Sequence, residues 1–106
     1  MTTKSEILNF LSLQKERLFL LGVIKLGLFG SYAKDRADVF SDIDIVIETD
    51  AKKMVKNLGS PFLVVTFLDD FRKSVSDKFG VLVDICDTTS MPAQTKEELV
   101  KGAIYV

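Results

Sequence analysis

A chain of 106 residues with 47% hydrophobic and 27% charged side chains has enough apolar content for one folded domain spanning 1–106, which excludes a disordered or low-complexity polymer. Lys and Arg total 14 against 15 Asp and Glu, a formal charge of −1, so the broad positive field of a duplex-binding protein is missing and no direct DNA binding is expected. Histidine is absent and Cys86 stands alone, which removes Ser-His-Asp and Cys-His nucleophiles, histidine zinc sites and internal disulfides, and suits a reducing cytoplasm.

The opening residues MTTKSEILNF lack the basic and apolar regions of a secretory signal. Thr3-Lys4-Ser5-Glu6 reads as a capping box, and Ile7, Leu8, Phe10, Leu11 and Leu18 recur at helical spacing, so a helix is predicted over about 3–20, stopped by Gly22. Val23 to Phe29 suggests a short strand running into Gly30, and Ser31 to Asp35 one or two helical turns. Ser41 to Glu48 is the clearest strand, with Ile43, Ile45 and Ile47 on one face and Asp42, Asp44 and Val46 on the other. Residues 50–58 suit a short helix or a loop ended by Gly59. Ser60-Pro61 is an N-cap followed by proline at the first helical position, opening a helix to about Lys78, with Gly80 just beyond. Val81 to Cys86 is a further strand carrying Asp84. Thr95-Lys96-Glu97-Glu98 reads as a second capping box, starting a last helix to about Gly102. The longest apolar stretches, around 18–24 and 62–68, reach about a third of a membrane span, so no membrane is expected.

Catalysis is thus left to carboxylates, hydroxyls, lysines, arginines, backbone amides or a bound metal. Gly30-Ser31 stands at a strand-to-helix turn, where a backbone without Cβ and the first unpaired helical amides suit phosphate oxygens; a plain turn or N-cap fits the dipeptide equally. Asp42 and Asp44, two residues apart on one strand, would sit about 7 Å apart at Cα on the same side. They are tolerable either in water or with a divalent cation between them, and an all-oxygen donor set favours Mg²⁺ or Mn²⁺ over zinc. Asp84 lies in an otherwise apolar segment, where an unpaired carboxylate costs several kcal/mol. A metal shared with Asp42 and Asp44 removes that cost, as would an edge position or a lysine partner.

Gly30-Ser31, ten residues, Asp42-Ile43-Asp44, and then Asp84 in a later strand together resemble the polymerase-beta-like nucleotidyltransferase superfamily. More closely the chain is similar to the minimal nucleotidyltransferases, small antitoxin partners of HEPN-domain toxins. The resemblance runs from the Leu28-Phe29-Gly30-Ser31-Tyr32-Ala33 approach to the closing Ala103-Ile104-Tyr105-Val106. It implies an α/β (α+β) palm-like fold with a mixed β-sheet and helices packed on it. It further implies that Gly30, Ser31 and Lys34 hold the phosphates of ATP, and that Asp42, Asp44 and Asp84 are catalytic and bind two Mg²⁺ ions, with Asp84 aiding deprotonation of the acceptor. The implied activity is a protein adenylyltransferase moving AMP from ATP to a tyrosine hydroxyl of a HEPN ribonuclease toxin, in a hetero-oligomer with that toxin.

The sequence departs from the family at Lys34-Asp35, where Arg-Gly is common. Lysine keeps the charge but loses the two-pronged grip on phosphate. Asp35 either brings an anion towards the triphosphate or turns away to Arg36 or Lys34. That departure motivates the alternative of an inactive antitoxin acting by occupancy. A third reading, transfer to a small molecule such as an aminoglycoside, normally requires an extra substrate-binding domain. Lys52, Lys53 and Lys56 read as a solvated face; Phe62, Phe67, Phe71 and Phe79 as core or partner surface; Tyr105 as packing; and Cys86 as a small apolar residue.

Overall fold

The computed structural model describes residues 2–106. Helix α1 (Lys4–Leu21) starts where the Thr3 hydroxyl accepts the Glu6 amide, and buries Ile7, Leu11 and Leu18. Strand β1 (Val23–Phe29) runs into a single helical turn, α2 (Gly30–Ala33), after which β2 (Ile43–Thr49) forms the centre of the sheet. The ambiguous stretch after it is a helix, α3 (Ala51–Leu58), because Asp50 accepts the Lys53 amide as its N-cap. Ser60 does the same for Leu63, Pro61 takes the first helical position, and α4 (Pro61–Phe79) runs to Gly80. Strand β3 (Val83–Asp87), α5 (Ala93–Leu99) and β4 (Ile104–Tyr105) complete five helices and four strands among the described residues.

The sheet order is β3-β2-β1-β4, with β2–β3 parallel and the other pairs antiparallel. It is a mixed sheet of the expected α/β class. Ile43, Ile45 and Ile47 pack, as their spacing predicts, into one core with Leu11, Leu18, Met54, Phe71 and Val75 from the helices. Each such aliphatic chain contributes about 1.5–3 kcal/mol by leaving water.

Four local expectations need correction. Asp42 precedes β2, because the first ladder bond is the Ile43 amide to the Leu82 carbonyl at 2.9 Å. β3 starts two residues later than its apolar run. Thr95 lies inside α5, whose start is set by Pro92 with its φ of −56°, so the second capping box is not a helix start. β4 was not anticipated. It pairs with β1 across Gly27, where an added Cβ would stand 2.7 Å from the Ile104 carbonyl oxygen, too close for any side chain. Val46, expected on a face shared with the acids, is fully buried. On that face its strand neighbours are Gly27 and Cys86, while Lys96 of α5 hydrogen bonds to Glu48 two residues along β2.

Candidate functional site

The upper part of the same sheet face carries Asp44. Its partners across the two ladders are Phe29 of β1 and Asp84 of β3. Register partners on neighbouring strands project to the same side of the sheet, with the strands about 4.7–4.9 Å apart, so two carboxylates from adjacent strands are set side by side. Asp42, just before the strand, adds a third negative group. Burial, then the charge of Asp84, then that of Asp42 push the Asp44 carboxyl above its ordinary value.

Gly30 closes the other side of Asp44. Its φ is +74°, a left-handed conformation that L side chains rarely adopt, and a Cβ built there would overlap Oδ2 of Asp44 and lie 3.1 Å from its Cγ. Glycine is therefore required twice over, and the space it leaves is filled by the carboxylate. Ser31 follows, half-buried, its carbonyl taken by the Arg36 amide at 2.9 Å. The structure thus brings Gly30, Ser31, Asp42, Asp44 and Asp84 into one neighbourhood. Lys34 caps the far end of α2 and its stem passes Gly102, whose added Cβ would be 3.4 Å from Lys34 Cε. Of the six candidate residues it is the one with contacts directed elsewhere.

Asp35 takes neither expected course towards Arg36 or Lys34. It has φ +56° and pairs with Nζ of Lys4 at 2.8 Å, so its carboxylate is tied to the start of α1. Aspartate tolerates the left-handed region better than most residues, which explains how it stands in a position commonly occupied by glycine.

Sequence reasoning missed the approach to the site. The Asp38 carboxylate accepts the Phe40 amide at 2.9 Å, and the Ser41 hydroxyl accepts the Asp38 amide at 2.9 Å. This turn presents Val39 and Phe40 outward, 81% and 89% exposed, immediately before Asp42. Two adjacent large apolar residues inside the mainly polar run 34–42 are the available signal.

Among the described residues no group of three or more His, Cys, Asp or Glu is placed so as to hold a metal ion. The chemistry of the residues gathered here nevertheless suits a hard divalent cation: the groups are carboxylates, and the charged form of Asp44 is disfavoured by burial and its acidic neighbours in a way that a cation would reverse. Mg²⁺ commonly takes a few carboxylates and completes its shell with water and substrate phosphates. Cys86, half-buried on the same face, has its thiol pushed up by burial and then by Asp87 and Asp44, which favours the protonated form.

The geometry thus sets a glycine turn without a Cβ against paired acids on a mixed sheet. The nucleotidyltransferase domain model matches residues 11–106, and the chain belongs to that family. Its chemistry is therefore nucleotidyl transfer in general, a transferase activity. No curated protein and no solved structure matches this chain. No helix among the described residues is long and apolar enough to cross a membrane.

Proposed function

We propose that this chain is a Mg²⁺-dependent protein adenylyltransferase that moves AMP from ATP to a tyrosine hydroxyl of a HEPN-family ribonuclease toxin, and so acts as that toxin's cytoplasmic antitoxin. One observation supports the reading above others: Asp44 is lodged against the Cβ-less face of Gly30 while Asp84 opposes it from the next strand. The turn suited to phosphate and the acids suited to metal are then one site.

In this reading Gly30 and Ser31 receive the β- and γ-phosphates through backbone amides and the hydroxyl, with Lys34 reaching them from the end of α2. Asp42, Asp44 and Asp84 would hold two Mg²⁺ ions, and that site would supply charge neutralisation for the attacking and leaving oxygens. The tyrosine oxygen forms a bond to the α-phosphorus, the bond to the β-phosphate oxygen breaks, and pyrophosphate leaves. The phenolic proton passes to Asp84, whose edge-strand position leaves it exposed to the entering group. Exposed Val39 and Phe40 beside Asp42 suit an apolar protein surface better than a small polar acceptor.

The test is labelling of a co-purified all-helical partner, encoded beside this chain, with ATP labelled at the α-phosphate. Label should enter the partner only with Mg²⁺, and Asp44→Ala should abolish it without unfolding the protein. Wild-type labelling by Asp44→Ala would refute the mechanism. Full toxin neutralisation by an Asp42→Asn, Asp44→Asn double variant would instead favour antitoxicity by occupancy.

A further inference from the structure

Residues 90–103 join β3 to β4 with very little holding them. The chain enters at Thr88, which is buried and donates to the Ile47 carbonyl through both its amide, at 2.9 Å, and its hydroxyl, at 3.1 Å. Thr89 follows, its hydroxyl accepting the Thr49 amide at 2.8 Å. The chain leaves through β4, where Ile104 and Tyr105 pair with Leu28 and Gly27 and the Val106 amide donates to the Leu26 carbonyl. Between these two anchors lies α5, none of whose residues is buried. Met91, Leu99 and Val100 are the larger apolar side chains of the stretch, and none of them packs against the hydrophobic core. The amides of Met91, Lys96, Val100 and Ala103 all donate within the stretch or to Thr88. Among the described residues, one side-chain bond ties the stretch to the sheet, from Lys96 of α5 to Glu48 of β2.

That tie lies on the acid-bearing face. Glu48 and Asp44 belong to the same strand, four residues apart, so they project to one side and stand about 13 Å apart along β2. Towards its other end the stretch reaches α2. Gly102, with φ +81°, turns the chain beside the stem of Lys34, close enough that an added Cβ would meet Cε of Lys34 at 3.4 Å. The stretch therefore runs from the tie at Glu48 to the one candidate phosphate ligand whose contacts lie outside the acid neighbourhood.

From this arrangement we infer that residues 90–103 are a strap, latched to the sheet by Lys96 and Glu48, that detaches as a unit and so frees Lys34 for a bound phosphate. Buried apolar side chains are what anchor an element, and a segment without them opens at far lower cost than the whole domain. A helix of seven residues does not persist alone in water, so α5 unfolds when it leaves the sheet. The latch is a partly exposed ion pair, and removing it should raise the open population about two- to fivefold. The link to Lys34 rests on the nucleotide-binding reading proposed above; the strap itself does not.

Amide hydrogen exchange on the purified chain, wild type against Lys96→Met, tests the strap. Methionine keeps the stem and removes the charge, and Glu48 retains Nζ of Lys25 at 3.8 Å. The amides of Lys96, Val100 and Ala103 should share one low protection factor in the wild type and exchange about two- to fivefold faster in the variant. The β1–β2 ladder should be unchanged, and Lys96→Arg should match the wild type. Calorimetric titration with ATP and Mg²⁺ tests the link. Lys96→Met should bind ATP about two- to fivefold more tightly, because a larger fraction of the protein is already open, and in a Lys34→Met background that gain should vanish. A strap as protected as β2, or exchange indifferent to Lys96→Met, would overturn the proposal. An unchanged ATP affinity, or a gain that survives Lys34→Met, would overturn the link to Lys34. A wild type that binds no ATP would instead overturn the nucleotide reading together with that link, and the exchange result would still decide the strap.

Discussion

Replacing Gly30 by alanine tests whether the glycine turn and the acid site are mechanically one unit. Two costs are separable in the structure. A left-handed φ of +74° penalises any Cβ-bearing residue by roughly 1–2 kcal/mol. In addition, the new Cβ would overlap Oδ2 of Asp44 and stand 3.1 Å from its Cγ. Asp44 can escape only by turning towards Asp84 or further into the core, both unfavourable for an anion, so this displacement should add about 1–2 kcal/mol of strain. The sum, about 2–4 kcal/mol, corresponds to a fall in Tm of roughly 10–20 °C for a domain of this size. Urea unfolding at neutral pH without divalent metal measures it. The decisive step is a double-mutant cycle with Asp44→Ala. Removing the carboxylate leaves only Cβ of Asp44, 3.2 Å from the new methyl, a contact that small shifts relieve. In that background Gly30→Ala should cost only the backbone penalty, giving a coupling of at least about 1 kcal/mol. Costs that simply add would refute the argument that glycine is there to seat the carboxylate.

Asp44→Asn should stabilise the metal-free protein. The folded protein raises the Asp44 pKa, so whatever stability Asp44 confers is fully present below its ordinary value and is lost as pH rises through the folded value. The gain from Asp44→Asn should therefore be largest near neutral pH and vanish in acid, as pH-dependent urea melts will show. Mg²⁺ should raise the Tm of the wild type at neutral pH and leave that of Asp44→Asn nearly unchanged; equal shifts would argue against Asp44 as a ligand. Asp42→Asn or Asp84→Asn should each lower labelling of the partner by at least about 10²-fold, while the metal-free protein stays folded and, with one repulsive charge beside Asp44 removed, melts no lower than the wild type. Asp35→Gly should be close to neutral, because relief of the left-handed φ offsets loss of an exposed ion pair worth about 0–1 kcal/mol. Asp35→Ala should cost about 1 kcal/mol more than Asp35→Gly, measurable as a difference in Tm.

The features that sequence announces most clearly here are those written in contiguous residues. Thr3 and Ser60-Pro61 place two helix starts because capping is a contest between one side chain and amides two or three residues on, and that contest is settled locally. The alternation Ile43, Ile45, Ile47 is read equally well, since a strand with one buried face repeats every second residue. Where a tertiary partner decides the outcome, the same local grammar fails. Thr95 has the spacing of a cap, but the rigid backbone of Pro92 starts the helix first. β4 is two residues long and exists because Gly27 of β1 lets the Ile104 carbonyl come close, a fact that neither segment carries alone.

The candidate site divides along the same line. Gly30, Ser31, Asp42, Asp44 and Asp84 form a pattern recognisable by spacing, and the β2–β3 register brings Asp84 beside Asp44 as that pattern requires. What spacing cannot convey is the sign of Asp35. Read in one dimension, an aspartate two residues from Ala33 threatens any bound triphosphate. In three dimensions the chain reverses at φ +56° and delivers that carboxylate to Lys4, 31 residues earlier. The departure from Arg-Gly thus ties the end of α2 to α1 through Lys4, and Asp35 is not among the charges that raise the Asp44 pKa. Lys34 is the opposite case. Its charge suits a phosphate, but its stem rests on Gly102, so engagement of a nucleotide requires it to leave that contact.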